Sequence, residues 1–228
     1  QCDQNAAWEF AFHGGRIRVY DMAERGVGRS RNTALMKADG DICLFSDQDI
    51  VYEDGYQLRI AQEFEANPKA DMILFNIQVG EERRTYYNKA WKRVHWYNCG
   101  RYGAVSFAVR KKSLLDSRVT FSLMYGGGAR YSAGEDSLFL KDFMDKGYRV
   151  YASPVTIGRE TEGESTWFKG YDDKFFYDRG VLYHDLYGIL ALPWALRFLA
   201  AHREKLCTQY SLHEALSIMH EGIRRSRG

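Results

Sequence analysis

The stretch that most limits what this chain can fold into is Gly40-Asp-Ile-Cys-Leu-Phe-Ser-Asp-Gln-Asp-Ile-Val-Tyr52. Residues 42–45 are an apolar run of strand length, set between a Gly-Asp turn signal and a group of acids. The pattern predicts a buried central strand whose end presents Asp47 and Asp49. On an extended backbone these two side chains point to one face, because strands alternate with period two. Two neighbouring carboxylates at the mouth of an α/β sheet repel each other unless a positive group lies between them. A hard divalent cation arriving with phosphate is one answer. A solvated turn after the strand is the other, and Asp-x-Asp alone is too short to decide between them.

A length of 228 residues allows one large domain, or a domain with a small appendage. Sixteen Tyr and five Trp point to half-buried surfaces and ligand platforms as well as a dry core. Lys and Arg exceed Asp and Glu by only two charges, so no global field attracts nucleic acid and none is expected as a partner. Cys2, Cys43, Cys99 and Cys207 are scattered, which predicts neither a disulfide framework nor a zinc site and suits a cytoplasmic setting. No apolar run reaches the roughly 18 residues that cross a bilayer.

In chain order, residues 16–20 alternate as a strand, and Gly26-Val-Gly28 leads into a helix from about Ser30 that closes at Gly40. A glycine loop entering a helix offers free N–H groups to an anion, and Arg29 and Arg31 add charge there. A tight turn with two solvated arginines reads equally from the residues. A helix over 54–67 is halted by Pro68, and a strand covers 72–79. A charged, aromatic excursion follows over 81–98, then a strand over 104–109 and a short helix over 111–116. Next come three glycines, 126–128, and Gly134-Glu-Asp136 opening a helix that runs to 146. Acids at a helix N-terminus are held ionised by its dipole, which suits a cap and also a general base. After a strand over 149–152, the polar segment 160–174 is a candidate lid centred on Ser165, Thr166 and Trp167. Three apolar helical segments, 175–190, 193–202 and 212–225, end the chain. They predict a helical cap, or a mildly basic surface lying on an acidic membrane.

The order of these pieces resembles a family 2 glycosyltransferase of the GT-A type. The likeness is closest over 24–52 (Gly28-Arg-Ser-Arg-Asn, then Phe45-Ser-Asp-Gln-Asp) and 125–148 (Gly126-Gly-Gly, then Gly134-Glu-Asp), and it extends over about residues 1–190. It implies an α/β fold, a Rossmann-like, mixed and mostly parallel sheet flanked by helices, with a C-terminal helical extension. The implied reaction moves a sugar, with inversion, from a nucleotide-diphosphate donor (a UDP-sugar first) to a hydroxyl of a glycan or lipid-linked acceptor in surface polysaccharide synthesis. By the same resemblance Asp49 ligates Mg2+ or Mn2+, and Asp47 supports the ion or contacts the ribose. Arg31, with Arg29 and Asn32, lies by the nucleotide. Asp136 is the catalytic base with Glu135 beside it, and residues 165–167 fall where the family has a donor-covering loop.

The implied division is a donor-binding core over 1–158, a lid and acceptor-side segment over 159–190, and terminal helices over 191–228 that touch the inner face of a membrane. The family's opening strand, helix and strand would precede Gln1, so an N-terminally incomplete fragment is expected. A haloacid-dehalogenase-type phosphatase shares the strand ending in Asp-x-Asp-x-Val, but there no strand and arginine-rich helix come first. A non-catalytic carbohydrate-binding module on the same fold is the third reading. Trp91, Trp96, Tyr131 and Trp167 serve as sugar-stacking platforms or as buried packing.

Overall fold

A computed structural model describes residues 4–80, 86–161 and 170–225. Strands β1 (Ala6–Phe12) and β2 (Gly15–Asp21) form a hairpin of their own. His13 and Gly14 both have positive φ, the two-residue turn whose twist suits a right-handed ribbon. Its register pairs Trp8 with Val19 and Phe10 with Ile17. Helix α1 (Val27–Lys37) leads into β3 (Ile42–Leu44), β4 (Ile50–Tyr52), α2 (Tyr56–Ala66) and β5 (Met72–Gln78). Then come β6 (Lys92–Arg93), a 3-10 turn (Trp96–Arg101), β7 (Phe107–Arg110), α3 (Lys111–Ser117), α4 (Glu135–Asp145) and β8 (Val150–Glu160).

The main sheet has the order β3-β7-β5-β8-β4, with β6 also on β8. It is mixed, as expected, but its parallel share is confined to β5–β8, and the other pairings are antiparallel. β5 is buried from Met72 to Asn76 because both faces of the sheet are covered. Its side chains divide by parity. Met72 and Leu74 join Phe107, Phe121, Phe139 and Phe143 under α4, whereas Ile73 and Phe75 join Ile60 and Phe64 under α2. Phe121 stacks on Phe139 with centroids 4.1 Å apart, so the segment before the glycine loop is fixed to α4 by aromatic packing.

Three local expectations change. The strand expected over 104–109 begins with a 3-10 turn (Ala104–Ser106). The excursion over 81–98 is partly core: Trp91 stacks on Tyr151 and Val94 is buried, while residues 81–85 are outside the described residues. The strand expected over 149–152 continues through Pro154 to Glu160. The ladder opposite Pro154 is irregular, and buried Asn76 donates its amide to the Pro154 carbonyl at 3.1 Å.

Helices α5 (Asp173–Tyr187), α6 (Ala191–Ala201), α7 (Arg203–Leu206) and α8 (Leu212–Arg225) close the chain. α5 reaches the main core through Val181, Leu182 and Leu186, and it shares a second cluster with α6 and α8 through Phe176, Ala195, Leu199 and Met219. The α5–α8 approach requires glycine on both helices. A Cβ on Gly180 would lie 2.1 Å from the Met219 carbonyl oxygen, and one on Gly222 would lie 2.3 Å from that of Tyr177.

Candidate active site

The two glycine stretches, a hundred residues apart in sequence, lock together. Val27 N–H, at the start of α1, donates to the Gly127 carbonyl at 3.0 Å. A Cβ on Gly28 would lie 2.4 Å from the Ser122 carbonyl oxygen, so only glycine lets α1 pack this closely. The loop read as an anion cradle therefore spends its first amide on protein. The packing sets the second turn of α1, and with it Arg31, over the N-terminus of α4.

Arg31 is the centre of the site. Its Nη1 donates to Asp136 Oδ1 at 2.6 Å and to Glu135 Oε1 at 3.1 Å, and its Nη2 donates to Asp47 Oδ1 at 3.2 Å. The guanidinium carbon lies 5.3 Å from the Phe121 ring centroid, and the side chain is only 13% exposed. Burial alone would lower the Arg31 pKa, but Asp136, Asp47 and Glu135 outweigh it and raise the value, so the group stays charged.

Asp136 uses its other oxygen, Oδ2, to accept Ala104 N–H at 2.9 Å. Burial, and then the charge of Glu135, push its carboxyl up to about 7, against the opposing pull of Arg31 and the Ala104 amide. Glu135 is buried, accepts Gly134 N–H at 3.1 Å, and packs on Gly126, where a Cβ would lie 2.7 Å from its carboxyl carbon. Gly126 has φ 97°, so the position suits glycine for conformation as well as for space.

Asp47 and Asp49 are not on a strand. β3 stops at Leu44, and the acids occupy a turn in which Ile50 N–H donates to the Asp47 carbonyl at 3.3 Å. The period-two argument therefore does not place them; the turn does. Asp47 reaches Arg31. The Asp49 carbonyl accepts the Thr161 N–H at 2.7 Å and its hydroxyl at 3.1 Å, which ties the turn to the residue after β8. The half-buried Asp49 carboxylate has no hydrogen-bond or ion-pair partner among the described residues.

The fold thus gathers Arg31, Asp47, Glu135 and Asp136, with Asp49 on the same turn as Asp47. Two other expected residues are engaged elsewhere. Arg29 pairs with Glu24, and Asn32 uses both amide atoms on the Phe121 backbone, donating to its carbonyl at 2.9 Å and accepting its N–H at 2.8 Å. Ser165, Thr166 and Trp167 are outside the described residues. Sequence reasoning missed the Ala104 amide, which as a backbone group has no signature. It also missed Phe121 as the ring beside Arg31, though the aromatic was visible ahead of the glycines. A separate cleft of about 600 Å³, lined by Tyr125, Tyr131, Asp142 and Asp185 among others, lies behind the glycine loop.

No group of three or more His, Cys, Asp or Glu placed to hold a metal occurs among the described residues. Mg2+ commonly takes one or two protein carboxylates and fills its shell with phosphate oxygens and water. Asp49, whose carboxylate has no partner among the described residues, and Asp47 on the same turn fit that donor set.

The family model for Glycosyl transferase family 2 matches residues 4–124, which contain Arg31, Asp47 and Asp49; Glu135 and Asp136 lie beyond the match. No curated protein matches the chain. Among solved structures, residues 1–349 of S. aureus TarS in complex with UDP-GlcNAc align with a TM-score of 0.55 and 19% identity, covering 81% of this chain and 55% of that one. A longer S. aureus TarS structure aligns with a TM-score of 0.55 and 16% identity, covering 86% of this chain and 36% of that one. The chain therefore spans about half, or less, of these TarS structures, and the likeness is one of fold. Because the family match takes in more than half of the sequence, the chain belongs to glycosyl transferase family 2.

Proposed function

We propose that this chain forms the catalytic part of a metal-dependent, inverting glycosyltransferase that takes its sugar from a nucleotide-diphosphate donor, a UDP-sugar first, and passes it to a hydroxyl acceptor. One observation carries the reading: Arg31 joins the Asp-x-Asp turn to the N-terminus of α4, so two acidic motifs remote in sequence meet at one guanidinium. Bound Mg2+ or Mn2+, held by Asp49 with Asp47 in support, would supply positive charge for the donor's diphosphate. Arg31, kept charged, is placed to exchange its contact with the more exposed Asp47 for a charge-assisted hydrogen bond to a phosphate oxygen. Asp136 removes the acceptor's proton, and a carboxylate with a pKa near neutrality is well matched to that task. A single base with no second nucleophile gives inversion. Glu135 holds the negative field that keeps Asp136 basic.

The reading includes the division into a donor-side core to residue 158, an acceptor-side segment over 159–190 and terminal helices. The acceptor is a glycan or a lipid-linked sugar, and surface polysaccharide synthesis is the setting in which such acceptors are extended. The phosphatase alternative has no place in this family.

A screen of nucleotide sugars for released nucleoside diphosphate tests the proposal. A donor is expected to be turned over only with added Mg2+ or Mn2+, and EDTA is expected to abolish the signal. Turnover unaffected by EDTA would remove the metal role of Asp49, and no metal-dependent UDP binding by calorimetry would favour the non-catalytic module.

A further inference from the structure

We propose that the surface formed by residues 189–196 together with the turn Trp96–Arg101 docks on an anionic phospholipid bilayer. α6 buries Ala191, Ala195 and Leu199 against its neighbours, yet its outer face is also apolar, presenting Leu192, Pro193 and Leu196. A helix that is apolar on both its inner and outer faces and still has an open face lacks a cover among the described residues. Just before it Ile189 is 89% exposed, more than any other large apolar residue described, and Leu190 is exposed beside it. The turn Trp96–Arg101 extends the same surface: Trp96 meets Trp194 edge-on with centroids 6.5 Å apart, and Trp96 and Tyr97 are both exposed.

Basic side chains belong to this surface: Arg101 ends the turn Trp96–Arg101 and Arg197 is exposed on α6. Residues 86–115 and 186–203 contain no Asp or Glu, whereas they carry Lys92, Arg93, Arg101, Arg197 and Arg203. Arg197 lies over the Trp194 ring, its guanidinium carbon 4.9 Å from the centroid. Aliphatic side chains at the tip, indole and phenol rings beside them and cations at the margin are the composition of an interfacial surface that prefers acidic lipid. At 11 residues α6 is too short to cross a bilayer, and no helix among the described residues is long and apolar enough to do so, so the contact is peripheral.

The patch is joined to the site. The turn Trp96–Arg101 runs through Tyr102 and Gly103 into Ala104, whose N–H holds Asp136. Docking would therefore bring the Asp136 side of the cleft toward the lipid surface, where a lipid-linked acceptor hydroxyl would meet it. That last consequence rests on the transferase reading; the docking does not.

Co-sedimentation with phosphatidylcholine vesicles, and with vesicles of equal parts phosphatidylcholine and phosphatidylglycerol, tests the inference. Binding is expected to the mixed vesicles, weakened by salt, and to fall at least about tenfold in Ile189→Glu and Leu196→Glu. Circular dichroism of both variants should match the wild type, because these side chains are exposed. Leu58→Glu, exposed on α2, is expected to bind as the wild type does. Equal binding to both vesicle types, or binding indifferent to Ile189→Glu, overturns the proposal. So does a wild-type dimer that Ile189→Glu dissociates, which would assign the patch to a second copy. Release of nucleoside diphosphate without lipid reports separately on the transferase reading, and its absence would leave vesicle binding intact.

Discussion

Asp136→Asn is expected to leave donor binding intact and to lower turnover by about 10²-fold or more, the usual contribution of a positioned general base. The asparagine keeps the shape of the side chain and an oxygen for Arg31 or for the Ala104 amide. Arg31 also retains Glu135 and Asp47. The loss should therefore appear in kcat and not in the affinity for the nucleotide. Binding of UDP with Mn2+ by calorimetry and turnover by released diphosphate separate the two, and full activity in the variant would take the base role from Asp136.

The second large effect is on stability. Arg31→Met removes the one cation shared by three carboxylates, leaving Glu135 and Asp136, whose side chains are 11% and 22% exposed, as unpaired neighbours. Breaking a buried pair from one side typically costs about 3–5 kcal/mol. Asp47, nearly half exposed, adds little to that. The urea midpoint should fall by about 1–2 M. The deficit should shrink in acid, because protonating Asp136, whose pKa is already raised by burial, removes the repulsion that the substitution exposes. Arg31→Lys should restore only part of the stability, since a point charge cannot hold both sides of the fork. A midpoint unchanged by Arg31→Met would mean that the carboxylates are solvated and the cleft is open.

Much of this arrangement was legible in the residues. The apolar run before Asp47, the glycines around residue 28 and the Gly134-Glu-Asp136 helix start are local signals, and each marks an element that formed. The error at Asp47 and Asp49 was one of local conformation: nothing in Ser-Asp-Gln-Asp-Ile says where extension gives way to a turn, and only the pairing of β4 with β8 fixes it. β8 runs well past the 149–152 expected for it: proline is normally excluded from a paired strand, whereas here a ladder irregularity accommodates Pro154. β1 is a strand that the 16–20 expectation leaves unpaired: Trp8, Phe10 and Phe12 alternate in the sequence, and β1 pairs with β2 across the His13-Gly14 turn. Long-range facts were not readable. No local pattern tells that Gly28 abuts Ser122, that Asn32 clamps Phe121, or that Ala104 donates to Asp136, since each depends on backbone brought from far along the chain.

The central claim is that Asp136, its pKa raised by burial and by Glu135, works as the catalytic base beside Arg31. The most direct measurement is the pH dependence of kcat/KM for sugar transfer in the wild type and in Asp136→Asn. Because the working form is the carboxylate, the rate should rise with pH through an ascending limb near 7, and the limb should vanish in the variant. A wild-type profile flat across that range, or the same limb persisting in Asp136→Asn, would contradict it.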